Sequence, residues 1–449
     1  MGMQNTHPLS STQNAIAKTQ ALIGERAFCQ RHRANGKAFT RHRKLTFRNT
    51  IVFLLQKTVR SIQSHLHLFF EALGPWTEVV TPSAWSQARL KLRHTAFVEL
   101  NEEAIVKVIY DQPGSFEVRQ WRGHRLVAVD SSLVRLPNQE RLGEEFGWVQ
   151  CSNEHGVYGR YPQARLSVLT DVLNRIAIET FFVPWAQNEI SLAMAHVRKL
   201  GPNDVALLDR GFAGYELLAC FVAAQRQLVC RCPRMSFKAV NQLYKENQEG
   251  RSIQVTLRPD PHQARALRKE GVPQEITIRL VTVRLKTGEL EVLATNLLDE
   301  QRYPTESFAA LYQQRWGIET YYGLLKGRLD LENFTGLSPE ALRQDVYSTV
   351  FLSNLESIMT RPANERLQEQ SRDLKNRQQV NHAVCFHALK SQLIALLLSR
   401  EPVAQVIEKL EQLFLDNPTA VRPQRQVPRR KHSDCRSYQY QRNVRKAVF

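Results

Sequence analysis

Nothing in this chain approaches the ~18 consecutive apolar residues of a membrane-spanning helix, so no membrane is expected as a partner. The N-terminus has no apolar signal-peptide core, and a cytoplasmic location is expected. Cysteine is scarce, with 7 in 449 residues. The number is odd and the positions are scattered, which speaks against a disulfide framework and agrees with a reducing compartment. Cys230-x-Cys232 has no second pair at zinc-ligand spacing, so these two read as small core residues. Ser131-Ser132 lacks a Gly-x-Ser-x-Gly elbow, and no glycine-rich phosphate loop occurs, which leaves serine hydrolysis and ATP-driven chemistry without support. Acidic residues are also nearly missing from the two ends. Residues 1–60 carry one acid against 11 Lys and Arg, and residues 417–449 carry one against nine.

That last shortage turns to what is present. The net charge is +18, and the two ends supply all of it, +10 and +8, while residues 61–416 are neutral. A neutral body with basic ends suits a polyanion partner. Solvated basic tails that only aid solubility are the alternative. At 449 residues, with 43% hydrophobic content, the chain has room for two or three packed domains. Residues 1–110 read as a helical, basic domain. Arg26, Arg31, Arg33, Lys37, Arg41, Arg43 and Lys44 are interleaved there with Phe28 and Phe39. Helical periodicity follows from Leu45 to Phe69, and Thr81-Pro82 reads as the cap of a helix over 84–100.

From 120 to 232 the pattern changes to strands. Arg125–Leu136, Arg165–Leu173 and Ile176–Val183 are expected as a meander, the last two joined tightly at Asn174-Arg175. A helix, the strand Asp204–Leu208, a second helix and the strand Gln227–Cys230 complete a ribonuclease-H-like α/β core. Residues 233–298 read as a β-rich insertion, 299–336 as the core's final helical segment, 337–416 as a helical region, and 417–449 as a basic tail. The fold class is thus α/β: a ribonuclease-H-like core interrupted by a β-rich insertion and flanked by helical regions.

Three carboxylates stand out. Asp130 interrupts an apolar strand and Asp209 ends another. A buried lone carboxylate costs several kcal/mol or stays protonated, so each needs a reason. Side by side on neighbouring strands they would call for a cation, and oxygen-only ligation favours Mg²⁺ or Mn²⁺. Asp171, Asp204 and Asp330 read better as turn or cap residues. The third carboxylate, Glu319, lies in Leu311–Gly336 (LYQQRWGIETYYGLLKGRLDLENFTG). On one continuous helix Tyr312, Arg315, Glu319 and Lys326 fall within an arc of roughly 60°, beside the apolar stripe Leu311, Ile318, Tyr322, Leu325 and Leu329. Trp316 is expected to pack. The helix alone reads equally well as an amphipathic helix with i,i+4 and i,i+7 ion pairs.

These motifs together resemble the DDE transposases of bacterial insertion sequences, in particular the insertion-sequence-4 group. The mark Tyr-x2-Arg-x3-Glu-x6-Lys is matched at Tyr312, Arg315, Glu319 and Lys326. The first Asp stands in Val129-Asp130-Ser131 and the second in Asp209-Arg210-Gly211-Phe212, and the β-rich insertion lies where that group has one. The resemblance covers about 100–400. It implies cut-and-paste transposition by two divalent cations, Mg²⁺ or Mn²⁺, held by Asp130, Asp209 and Glu319. Tyr312, Arg315 and Lys326 would grip DNA phosphates beside the cut, with Arg210 in support. The implied partners are double-stranded DNA, both element ends and target, and a second copy of the chain on DNA. The setting would be the bacterial cytoplasm, at the nucleoid when DNA is bound. Some members stack a flipped base on an aromatic of the insertion, where this chain has only Phe237 and Tyr244. The other readings are an inactive relative that only binds DNA, and a ribonuclease-H-like nuclease without strand transfer.

Overall fold

The computed structural model describes residues 10–422, apart from 42, 58–60, 75–77, 113–115, 155, 286–287 and 400. The expected basic tail from 423 onward lies outside the described residues. The chain divides into two compact units. The first is Met1–Glu117, Val134–Ala164 and Leu324–Phe449; the second is Val118–Leu133 and Arg165–Gly323. In chain order the main strands are β1 (Arg125–Arg135), β2 (Trp148–Asn153), β3 (Gly156–Asp171), β4 (Ile176–Pro184), β5 (Asp204–Leu208), β6 (Gln227–Cys232), β7 (Ser252–Leu257), β8 (Ile276–Arg284) and β9 (Leu290–Thr295).

In the second unit the strand order is β4, β3, β1, β5, β6, β9, β8, β7. β1 runs parallel to β5, with Arg125 opposite Asp204, and β5 runs parallel to β6. Parallel neighbours need crossovers. Helix Glu189–Val197 lies between β4 and β5, and helix Tyr215–Ala223 between β5 and β6. All five residues of β5 are buried, as an apolar central parallel strand requires. This is the ribonuclease-H-like layout that the sequence led us to expect. β3 and β4 meet through a tight turn in which Arg175 takes φ +57°. Asp171 organises that turn, accepting from the backbone N–H groups of Leu173 and Asn174 at 3.0 Å each. The 233–298 segment continues the same sheet: β9 pairs antiparallel with β6, β8 with β9, and β7 with β8. It also holds two helices, Lys238–Glu246 and Pro261–Lys269, the second carrying Arg265, Arg268 and Lys269.

The stretch read as one helix from 311 to 336 is two helices, Ser307–Gln313 and Trp316–Gly327, with Gln314 and Arg315 as a turn between them. The junction tightens to i→i+3 bonds, from Arg315 N–H to Tyr312 O at 3.1 Å and from Ile318 N–H to Arg315 O at 3.2 Å. Such tight turns are common where helices end or are interrupted. A Cβ at Gly317 would come within 3.0 Å of Val172 Cβ, so this glycine lets the second helix close onto the end of β3.

In the first unit, helices run from Ser11–Gly24 to Lys107–Tyr110 and again from Pro339–Gln370 to Val403–Asp416. Ser10, Thr46, Ser61, Thr81 and Ser338 each cap a helix N-terminus, satisfying donors that a helix leaves open. The helix expected over 84–100 is split into Pro82–Arg89 and Thr95–Leu100. Between them Arg93 N–H bonds His32 O at 2.8 Å and Ala34 N–H bonds Lys91 O at 2.7 Å, so this stretch leaves the helix to pair with 32–34. Arg89 anchors the preceding helix to Pro339–Gln370. Its guanidinium bonds Asp345 Oδ1 (2.7 Å), Gln344 Oε1 (2.7 Å), Thr335 Oγ1 (2.7 Å) and Ala341 O (2.6 Å). β2 pairs antiparallel with the first part of β3, Trp148 opposite Pro162.

Candidate active site

Six of the seven residues singled out for chemistry belong to the second unit, at one end of its sheet or on the helical segment beside it. Asp130 sits on β1 after four buried apolar residues. Asp209 follows the last residue of β5, one strand over. Asp130 Oδ1 accepts from the Ser131 N–H at 2.7 Å. Burial pushes its carboxyl up to about 6. The Ser131 N–H and the charge of Arg315 pull it back, while the charges of Asp209 and Glu189 add to the rise. The two strand aspartates therefore feel each other's charge, as neighbouring carboxylates on parallel strands must.

Helix Trp316–Gly327 brings the third carboxylate. Tyr322, 7% exposed, sets its seat. The phenol lies 2.8 Å from the Asp130 carbonyl and 3.0 Å from that of Leu166, and donates its single proton to one at a time. Glu319, one turn earlier, is 2.9 Å from Arg315 Nη2. Arg315 is only 4% exposed, and its Nε is buried with no hydrogen-bond partner among the described residues. Burial lowers the Arg315 pKa, but the bond to Glu319 and the fields of Tyr312 and Asp209 outweigh it, so the net shift is upward. Tyr312 is buried, with its hydroxyl 3.2 Å from Leu208 O and 3.4 Å from Asp209 Oδ1. Arg210 begins a short 3-10 turn after Asp209 and is exposed. Lys326 belongs to the first unit, where its ammonium stands 3.6 Å from Glu332. The i,i+4 ion pair of the plainer helix reading is thus present, between Arg315 and Glu319. The packing role expected of Trp316 is not: the ring is 54% exposed, and the Arg315 guanidinium lies 5.2 Å from its centre.

Residues 121–355 match the family model described as Transposase DDE domain. The chain belongs to this family. Among curated relatives it is similar to "Transposase InsG for insertion sequence element IS4" of Escherichia coli (strain K12), 25% identical over 233 residues, 52% of this chain and 50% of that protein. It is also similar to "Putative transposase InsZ" of the same organism, 29% identical over 98 residues, 22% of this chain and 32% of that one. The chain spans about half the length of the first relative and a third of the second. A solved structure, the piggyBac transposase synaptic complex with hairpin DNA, is similar at 11% identity and a TM-score of 0.40, covering 90% of this chain and 82% of that one.

Transposase DDE domains generally use divalent metal ions. The donor chemistry here fits a hard cation: two carboxylates on adjacent strands, one strongly desolvated, and a third on the helix tied to the first strand. The arrangement differs by one ion pair. Glu319 is bonded to Arg315, and among the described residues no three of His, Cys, Asp and Glu are grouped to hold one ion.

Three further residues at the site escaped the sequence reading. Ser131 Oγ donates to Glu189 Oε1, Arg165 Nη1 donates to Ser131 Oγ at 2.7 Å, and Arg165 pairs with Glu189. Asn188 caps the helix that Glu189 opens, its Oδ1 2.7 Å from the Ile190 N–H. This triad fixes Ser131, and through its backbone N–H the Asp130 carboxylate. The Asn-Glu pair before an apolar helix was a legible N-cap signal; nothing in it pointed to Asp130.

Proposed function

We propose that this chain is a DNA transposase that binds insertion-sequence ends, hydrolyses their phosphodiesters and joins the freed 3′ ends to target DNA. The observation that carries the reading is the pair Asp130 and Asp209 on adjacent parallel strands, with Glu319, bonded to the buried Arg315, on the helix tied to the first of those strands. In hydrolysis, water's oxygen bonds phosphorus as the P–O3′ bond breaks, leaving a 3′-hydroxyl. That hydroxyl then attacks a target phosphodiester in the same manner. Asp130 and Asp209 would hold Mg²⁺ or Mn²⁺ at the strand ends, and Glu319 would complete the set. Bound there, a divalent cation supplies Lewis acidity toward phosphoryl oxygens and an acidified water. Tyr312 steadies Asp209. Arg315, Lys326 and the exposed Arg210 are the cations offered to backbone phosphates.

The 1–110 region is read as the arm that binds DNA. A cleft of about 880 Å³ in the first unit supports that, lined by Lys37, Arg41, Arg43, Lys44 and Lys91 beside Phe39. A dimer on DNA is part of the proposal, since two element ends must be cut together. A relative that only binds DNA would have no use for three carboxylates that repel phosphate.

The test is end cleavage with Mg²⁺ on DNA carrying the element's terminal inverted repeats, found by sequencing the DNA that flanks the reading frame. Asp130→Asn is expected to abolish cleavage and retain end binding. Cleavage that survives the substitution refutes the site. Cleavage without joining to target would favour a nuclease.

A further inference from the structure

We propose that Arg315 serves as the counter-cation of the carboxylate cluster before it is loaded, and that loading a divalent cation moves Arg315 off Glu319 and frees it for a DNA phosphate. The proposal rests on the reading that Asp130, Asp209 and Glu319 are the metal ligands.

Four observations carry it. Arg315 is 4% exposed, so its charge is held away from solvent beside Glu319. It spends one donor on Glu319, at 2.9 Å. Its Nε is buried with no partner among the described residues, which leaves donor capacity for a further acceptor. Finally, the same charge acts on all three carboxylates: it lowers the carboxyl of Asp130, and Asp209 and Glu319 both raise Arg315. One monovalent cation thus serves a group that divalent ions would neutralise more fully. Arg315 and a divalent cation compete for Glu319, because a second positive charge within a few ångström of the guanidinium is repelled. Arg315 also lies in the two-residue turn between the helices, outside the regular helix that seats Glu319. A DNA phosphate offers the planar fork of the displaced guanidinium two oxygens to bond at once. Binding of metal and of the DNA end would then be coupled through one side chain.

The test is Mn²⁺ binding to the full chain without DNA, measured by calorimetry on wild type, Arg315→Met, Arg315→Lys and Asp130→Asn. Arg315→Met should bind Mn²⁺ on the order of tenfold more tightly, with Arg315→Lys nearer wild type. Asp130→Asn should lose that binding. If Asp130→Asn loses Mn²⁺ while Arg315→Met binds it equally or more weakly, the counter-cation role is wrong and the metal reading stands. If Asp130→Asn binds like wild type, the metal reading itself fails. Should Arg315→Met not fold, wild type suffices. Mn²⁺ should speed modification of Arg315 by an arginine-selective dicarbonyl several-fold, and added end DNA should then slow it. Labelling that Mn²⁺ leaves unchanged or slows overturns the proposal.

Discussion

Each unit contains a buried arginine bonded to a carboxylate, and the two pairs are built differently. In the first unit Arg89 meets Asp345, whose side chain is fully buried. Four acceptors surround the Arg89 guanidinium, and Asp345 also accepts from the Thr335 N–H at 2.7 Å. In the second unit Arg315 meets Glu319, whose side chain keeps 30% exposure, and Arg315 Nε goes unmatched. A saturated pair between two helices holds a fold; removing either partner strands a charge. An unsaturated pair beside two more carboxylates holds a state that another cation can replace. The two pairs thus differ in saturation rather than in the burial of the arginine.

The sharpest way to test that contrast is to neutralise the acid in each. Glu319→Gln should cut end cleavage on the order of 10³-fold while leaving the unfolding free energy almost unchanged. Asp345→Ala should instead destabilise the protein by about 3–5 kcal/mol in denaturant unfolding, and reduce cleavage only through loss of folded protein. If the two lesions exchange places, the contrast is wrong.

A second measurement probes the cost of the unloaded site. The Asp130 carboxyl is raised from 3.8 to about 6, so between those values the native chain binds the proton more than the unfolded chain does. Stability contributed by this group therefore falls as pH rises through that window, and the penalty is complete above it. In chelator at pH 8, Asp130→Asn should stabilise the fold by up to about 2 kcal/mol, and near pH 3.5 the two should match. Identical pH profiles from 4 to 7 would show that Asp130 is not desolvated in this way.

The smallest expected effect concerns the triad behind Asp130. Glu189→Ala should slow cleavage about tenfold, as loss of a group that orients a ligand does, whereas Glu189→Gln, which keeps an acceptor for Ser131, should stay near wild type. Equal rates for all three would remove Glu189 from the site.

Much of this was legible in the chain. Apolar runs bounded by turns marked β1, β5 and β6; Asp130 was visible because strand interiors rarely carry charge, and Asp209 because it closes the apolar run of β5. What was not legible depended on distant partners. The helix wheel treats 311–326 as continuous, and no local signal marks the turn at Gln314-Arg315. The split after Arg89 comes from pairing with 32–34, some sixty residues away. β2 and the first part of β3 carry no apolar run to mark them, because their sequence is polar and glycine-bearing. Its rings carry arginines instead, Arg160 of β3 on Trp148 at 4.1 Å and Arg135 of β1 on Tyr161 at 4.2 Å, contacts worth about 0.5–2 kcal/mol each.

The handle that Tyr322 takes on β1 has one more consequence. It grips the main-chain carbonyl of Asp130 and ignores the carboxylate. A main-chain grip is blind to which side chain grows from that residue. Chemistry at position 130 can therefore be switched off without loosening the helix that carries Glu319. Asp130→Asn becomes a snare: a protein that should still seize its DNA in working pose, halt there, and let the halted complex be imaged.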